Sequence, residues 1–139
     1  MSGAGVDTAV VALLQADATL ASLAPGGVWR DVAPEGAVDQ GVFVIVQLQA
    51  HEDVDEQAQR VGYEIPRYLA KAVSQDSDGA AAAAAYARVH ALLQGQALTI
   101  TGYHHMDTRR ESRVSYTEPD GAVLWKHDGG LYRVEAHPV

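Results

Sequence analysis

The residues best suited to chemistry are His104, His105 and Asp107, with His51 and Asp53 far away in the chain. Imidazoles beside a carboxylate are the donor set of a metal ion that activates water, so a metal-dependent hydrolase is the enzyme reading. The spacing argues against it. Adjacent histidines on a strand point to opposite faces and do not easily share one ion, and no helical H-E-x-x-H pair is present. A second oxygen-rich group is Glu52, Asp53, Asp55 and Glu56, four carboxylates in five positions. Such a run suits a hard cation that would steady an assembly. Ser112 and Ser115 lack a base and an orienting partner, and no G-x-S-x-G, P-loop or G-x-G-x-x-G occurs. Gly26-Gly27 and Gly129-Gly130 read as turn glycines without a phosphate-loop context. The chain has no cysteine, which removes disulfides, thiolate metal sites and thiol nucleophiles. No catalytic, cofactor-binding or metal residue is assigned, and the chain is read as a non-enzyme.

The charges point elsewhere. Eighteen acidic against ten basic side chains give a net −8, which argues against a protein that grips nucleic acid through phosphate contacts on a basic face. It does not exclude one past which DNA slides. The cationic cluster Arg109, Arg110 and Arg113 lies far in sequence from the acidic run. Either the arginines form a solvated strand face with Glu111, or they meet the acidic run of another copy at a subunit seam.

These side chains must be carried by few elements. Asp7 is placed to cap a helix with the stripe Val10, Leu13 and Leu14. Asp17 caps a shorter turn bearing Leu20 and Leu23, which ends at Pro25-Gly26-Gly27. Residues 28–32 are extended and 34–40 form a loop. Residues 42–46 are apolar throughout, a strand covered on both sides, one cover being a helix and the other either the rest of the domain or a neighbouring subunit. Residues 51–59 read as a protruding acidic loop. Residues 60–73 are extended, and Pro66 puts that strand at an edge or on a bulge. Ser77 or Asp78 caps an alanine-rich helix over 80–94 with the stripe Ala82, Ala85, Tyr86, Val89, Leu92 and Leu93, closed by Gly95. Strands follow at 98–103 and 105–116, the latter with Asp107, Arg109, Glu111 and Arg113 on one face. Residues 123–136 are either a hairpin at Gly129-Gly130 or one long strand with a glycine bulge. The order predicts a single α+β domain over 1–139, a mainly antiparallel sheet packed by one long Ala-rich helix and a short N-terminal helix. Apolar residues reach 47%, yet only one Phe and two Trp occur; this thin core favours burial between subunits. Trp29 and Trp125 are expected as core or rim anchors. No stretch has the length and apolarity to cross a bilayer, and no signal peptide is evident, so a soluble product made in the cytoplasm is expected.

In order along the chain, VVALLQADATLASLA, GGVWRDVAPEG, VFVIVQLQ, VGYEIPRYL, VHALLQG, ALTITGYHH, RRESRVSYTEPDG and LYRVEAH resemble the phage tail terminator, or tail-completion, family. The resemblance covers nearly the whole chain, in pattern and order. It implies a virion structural subunit at the head-proximal end of a siphophage-like tail. A closed ring, usually of six copies, would stop tube polymerisation and offer the head a joining surface. The implied partners are other copies of the chain, the tail tube protein and the head–tail connector or neck proteins. DNA would pass through the lumen without sequence-specific binding, and neither cofactor nor membrane is involved. The same subunit would serve a prophage, a tailocin or a gene-transfer particle. A neck protein is the near alternative, and a small monomeric binding domain or metal-dependent hydrolase is the alternative of another class. Glu52, Asp53, Asp55, Glu56, Arg109, Arg110 and Arg113 are the candidate assembly or lumen residues. A heterologous ring contact joins two different patches, and six copies multiply an acidic charge that repels DNA from the wall.

Overall fold

The computed structural model describes residues 4–56, 60–75 and 79–139. Its elements are α1 (Ala4–Gln15), α2 (Ala18–Leu23), β1 (Gly27–Arg30), a 3₁₀ turn (Ala37–Gln40), β2 (Phe43–Glu56), β3 (Arg60–Ser74), α3 (Ala80–Leu93), β4 (Tyr103–Asp120) and β5 (Val123–Pro138). The strands form one sheet in the order β1-β2-β3-β5-β4, in which only the β1–β2 pair is parallel. The architecture is mixed α/β with a mainly antiparallel sheet. In place of one long helix beside a short one there are two of similar length, α1 with 12 residues and α3 with 14, and α2 with six. No helix among the described residues is long and apolar enough to cross a membrane.

The core lies between the helices and one face of the sheet. Val6, Val10 and Leu14 of α1, Leu20 of α2, and Ala82, Ala85, Tyr86, Val89 and Leu93 of α3 pack there. The sheet meets them with Val44, Val46, Tyr68, Ala70, Ala72, Tyr132, Val134 and Ala136. Alanines on both α3 and β3 let the helix lie close to the strand, where larger side chains would hold it away. The stripe expected on α3 is the buried one, and Gly95 follows its end at φ +67°. Ser77 and Asp78 lie outside the described residues; the helix is preceded by Gly79.

Asp17 caps α2, accepting from the Leu20 N–H at 2.8 Å, and its two oxygens also take Nε and Nη2 of Arg88 at 2.9 and 2.8 Å. One carboxylate therefore closes a helix start and ties α2 to α3. Asp7 is not a cap. Because α1 already begins at Ala4, Asp7 lies inside the first turn and is buried, accepting from the Tyr68 hydroxyl and from Arg30 Nη2, the latter at 2.5 Å. Burial and the Asp7 carboxylate push the Tyr68 hydroxyl far above the usual phenol range.

Two further expectations are corrected, and two open alternatives are decided. The strand with Pro66 is central, between β2 and β5. Neither Ile65 nor Pro66 takes part in the β3–β5 ladder, and the bulge is carried by β2 between Leu48 and Ala50, so the missing donor costs no ladder bond. Residues 96–100 are irregular, with Leu98 and Ile100 buried into the helix-side core; the alternation came from a packed connection. Gly129 and Gly130 sit inside the continuous strand β5, paired on both sides. The second cover of residues 42–46 comes from the same chain: Phe43, Ile45, Val73 and Ala37 form a smaller cluster under Trp29, Ala33, Val38 and Trp125.

Candidate assembly surface

The acidic run is not a loop. Glu52 to Glu56 continue β2, paired with β3 as far as Glu56 opposite Arg60, with one register shift between Val54 and Asp55. A carboxylate run is compatible with a strand when the pleat turns alternate side chains to opposite faces and the hairpin stands in solvent. The β3–β5 ladder ends at Glu64–Ala136, so Val54–Tyr63, Asp55–Val61 and Glu56–Arg60 belong to a two-stranded arm. The side chains of Asp55 and Glu56 lie outside the described residues.

A second arm leaves the other end of the sheet. The β3–β5 ladder stops there at Ser74–Lys126, and beyond it Trp125, Leu124 and Val123 pair only with Glu118, Pro119 and Asp120. Since β5 runs antiparallel to β3, the two hairpins point in opposite directions, each reaching about 10 Å past the three-stranded part. Their chemistry differs. Carboxylates occur on both, Asp55 and Glu56 on the first and Glu118 and Asp120 on the second, but the second also exposes the apolar side chains of Val123 and Leu124.

Between the arms lies the face of the sheet that the helices leave open. Towards the acidic arm it is a lattice of ion pairs. Arg67 donates from Nε to Glu111 at 2.9 Å and from Nη1 to Glu52 at 3.4 Å. Arg109 donates to Asp107 at 2.7 Å, and Arg133 to Glu135. Towards the apolar arm it is aromatic. Trp125 meets Phe43 edge-on at 6.4 Å, and Tyr116 stacks on His127 at 4.3 Å with Lys71 donating to the Tyr116 hydroxyl. A cleft of about 320 Å³ opens there, lined by Val32, Phe43, Ile45, Val73 and Trp125, with Lys71 and Glu118 at its polar margin.

The arginine cluster does not share one face. A register shift between Arg110 and Ser112 makes Glu111 an extra residue, which resets the alternation. Arg109, opposite Arg133, stays on the open face and is 64% exposed. Arg110 and Arg113 turn to the helix side. Arg110 donates to the Tyr86 hydroxyl at 3.1 Å; Arg113 makes bonds of 2.7 and 2.9 Å to the two oxygens of Asp128 and lies over the Tyr86 ring. These two tie α3 to the sheet through Tyr86, and Arg109 alone of the three stays on the open face, although the Arg113 side chain is itself 55% exposed. The histidines once considered for metal chemistry are also separated. His104 is exposed, and His105 is bonded to Thr108 and accepts from the Leu98 N–H; burial depresses its proton affinity. Among the described residues His51 and Asp53 instead meet Glu64. Glu64, Lys71 and Tyr116 were absent from the sequence reading as site residues, because their roles depend on which strand pairs with β3.

The open sheet face with its two projecting arms is the candidate contact surface of the chain. Comparison with solved structures gives the same fold. One chain, from the "Virion of native gene transfer agent (GTA) particle", superposes with a TM-score of 0.81 at 21% identity, covering 98% of this chain and 97% of that one. A second superposes with a TM-score of 0.62 at 16% identity, covering 100% and 99%. No curated protein sequence matches the chain. Residues 8–135 match the family described as "Tail completion protein gp17", and the chain belongs to that family. It is therefore a structural component of a phage-type tail, located in the virion.

Proposed function

We propose that this chain forms a closed ring, of six copies, at the head-proximal end of the tail tube. The ring ends tube polymerisation and presents the surface to which the head joins. The observation that carries the reading is the pair of arms at opposite ends of one sheet, one of them with exposed Val123 and Leu124 near its tip. A two-stranded hairpin is marginal by itself in water, and exposed apolar side chains at its tip call for a partner surface. A head-to-tail contact joins unlike patches and closes into a ring when the rotation allows. The GTA virion chain of the same fold supports the particle context.

In this reading Arg109 of one subunit faces the acidic arm of the next, near Glu52, Asp53, Asp55 and Glu56, while Arg110 and Arg113 keep the helix layer in place behind it. The remaining carboxylates line the route of the DNA, which passes without sequence-specific contacts because like charges keep it off the wall. The tail tube protein lies on one side of the ring and the connector or neck proteins on the other. The test is imaging of particles containing the protein, with deletion of its gene in parallel. Ring density at the head end of the tail, and overlong headless tails on deletion, are expected. Density within the neck, or normal joined particles without the gene, would reject the proposal.

A further inference from the structure

At the root of the acidic arm, Asp53 of β2 lies directly opposite Glu64 of β3, and His51 is opposite Pro66 two residues along the same face. One ligand atom from each of His51, Asp53 and Glu64 falls within 4.8 Å of the other two. His51 Nε2 is 2.9 Å from Asp53 Oδ1 and 4.0 Å from Glu64 Oε2. Independently of that clustering, the Glu64 side chain is fully buried, and neither of its oxygens has a hydrogen-bond partner among the described residues. Buried carboxylates are normally paired, hydrogen-bonded or bound to a metal, since an uncompensated one is costly. Among the described residues no lysine or arginine pairs with Glu64, and the base set against it is His51 at 4.0 Å, beside Asp53.

We infer that His51, Asp53 and Glu64 form a binding site for a divalent transition metal, Zn²⁺ in the first place. An imidazole nitrogen with two carboxylates is the mixed donor set Zn²⁺ accepts, whereas Mg²⁺ and Ca²⁺ favour oxygens alone. Bonds of about 2.1 Å at tetrahedral angles place ligand atoms roughly 3.4 Å apart. The separations of 2.9 and 4.0 Å bracket that value, so small side-chain rotations bring the atoms onto an ion. Nε2 of His51 must then give its lone pair to the metal in place of its contact with Asp53. The other ring nitrogen is buried without a partner among the described residues, so the tautomer change breaks no further bond. Three protein ligands leave a position for water. The ion joins β2 to β3 where the arm leaves the body of the sheet, and it offsets two carboxylates at once. The inference rests on side-chain placement and stands apart from the ring proposal.

The test uses the full-length protein stripped with a chelator, titrated calorimetrically with Zn²⁺ and followed by thermal denaturation. One Zn²⁺ per chain and a clear rise in Tm are expected, because a ligand bound only by the folded state stabilises it. Glu64→Gln should lower the affinity by well over about tenfold, the lower end of what even outer partners of a metal contribute. Metal-free Glu64→Gln should melt no lower than metal-free wild type, since it replaces a buried carboxyl group whose oxygens have no hydrogen-bond partner among the described residues. Asp53→Asn, at a half-exposed position, serves as a second ligand variant and should also weaken binding at least about tenfold. Absence of saturable binding to the folded protein, or undiminished binding in both variants, would overturn the assignment. So would an equal rise in Tm with Mg²⁺ or Ca²⁺ at the same concentration.

Discussion

Gly130→Ala is the sharpest probe of how the helix layer sits on the sheet. A Cβ at this position would fall within contact distance of the Tyr86 hydroxyl and 2.8 Å from Cδ of Arg110. Tyr86 is 2% exposed, and its hydroxyl is bonded to that of Tyr132 at 2.8 Å, which in turn reaches Nδ1 of His90 at 2.7 Å. The ring therefore cannot step aside without breaking this chain of bonds. Overpacking of this kind costs roughly 1–3 kcal/mol, and about 2 kcal/mol is expected here. With an unfolding entropy of about 2.1 cal/mol/K per residue, that corresponds to a Tm lower by about 7 °C. Tyr86→Phe alone should cost about 1 kcal/mol, the net worth of an ordinary hydrogen bond. Combined with Gly130→Ala it removes the atom that the new methyl strikes, so the double variant should be more stable than the sum of the singles by at least about 1 kcal/mol. Denaturant and thermal unfolding of the four proteins measure this cycle. A Gly130→Ala loss below about 0.5 kcal/mol, within the range of ordinary surface substitutions, or additive singles, would refute the account of α3 docking.

Arg109→Glu should leave Tm nearly unchanged, because its pair with Asp107 is largely exposed and such pairs contribute little; it should abolish ring formation, and an unaltered ring mass in native mass spectrometry would count against the seam. Val123→Asp with Leu124→Asp should likewise preserve folding while preventing assembly on tail tubes, as seen by electron microscopy. Hydrogen bonds from Arg88 and then from the Leu20 N–H lower the Asp17 carboxyl to about 2; its stabilising contribution is complete above the unfolded value near 3.8 and is lost as pH falls from there towards 2, so Asp17→Asn should flatten acid unfolding in that window. Burial is the first cause that depresses the proton affinities of His90, His105 and His127, with Arg110 and Arg113 adding to it at His90 and Lys71 at His127. The unfolded chain then binds more protons below its value near 6.5, so stability should decline as pH drops through 6.5, and His90→Gln should reduce that slope in pH-dependent melts.

Much of this protein was legible before its strands were paired. Local signals set α2 and α3: an aspartate at the first cap, a buried stripe at 3.6-residue spacing, and a glycine after the last turn. The continuous apolar run 42–46 required cover on two sides, and both covers are present. The order of motifs placed the chain in its family. The errors share one origin. Pro66 reads as an edge signal only when its neighbours are ignored; with β2 bulged beside it and the β5 ladder skipping the position, a central strand tolerates it. The acidic run reads as a loop because carboxylates resist burial, yet a strand that leaves Glu52 and Asp53 exposed accommodates them.

Chain chemistry by itself determined what each segment could bury, because burial preferences and helix caps act over a few residues. Only the tertiary structure decided which side chains meet. The extra residue Glu111 turns Arg113 to the helix side and leaves Arg109 on the open face, a phase change written nowhere in the local alternation. The pairing of β2 with β3 brings Glu64 against His51 and Asp53, thirteen and eleven residues away. Strand register is fixed by the summed packing of both sheet faces, a quantity that no window of sequence contains.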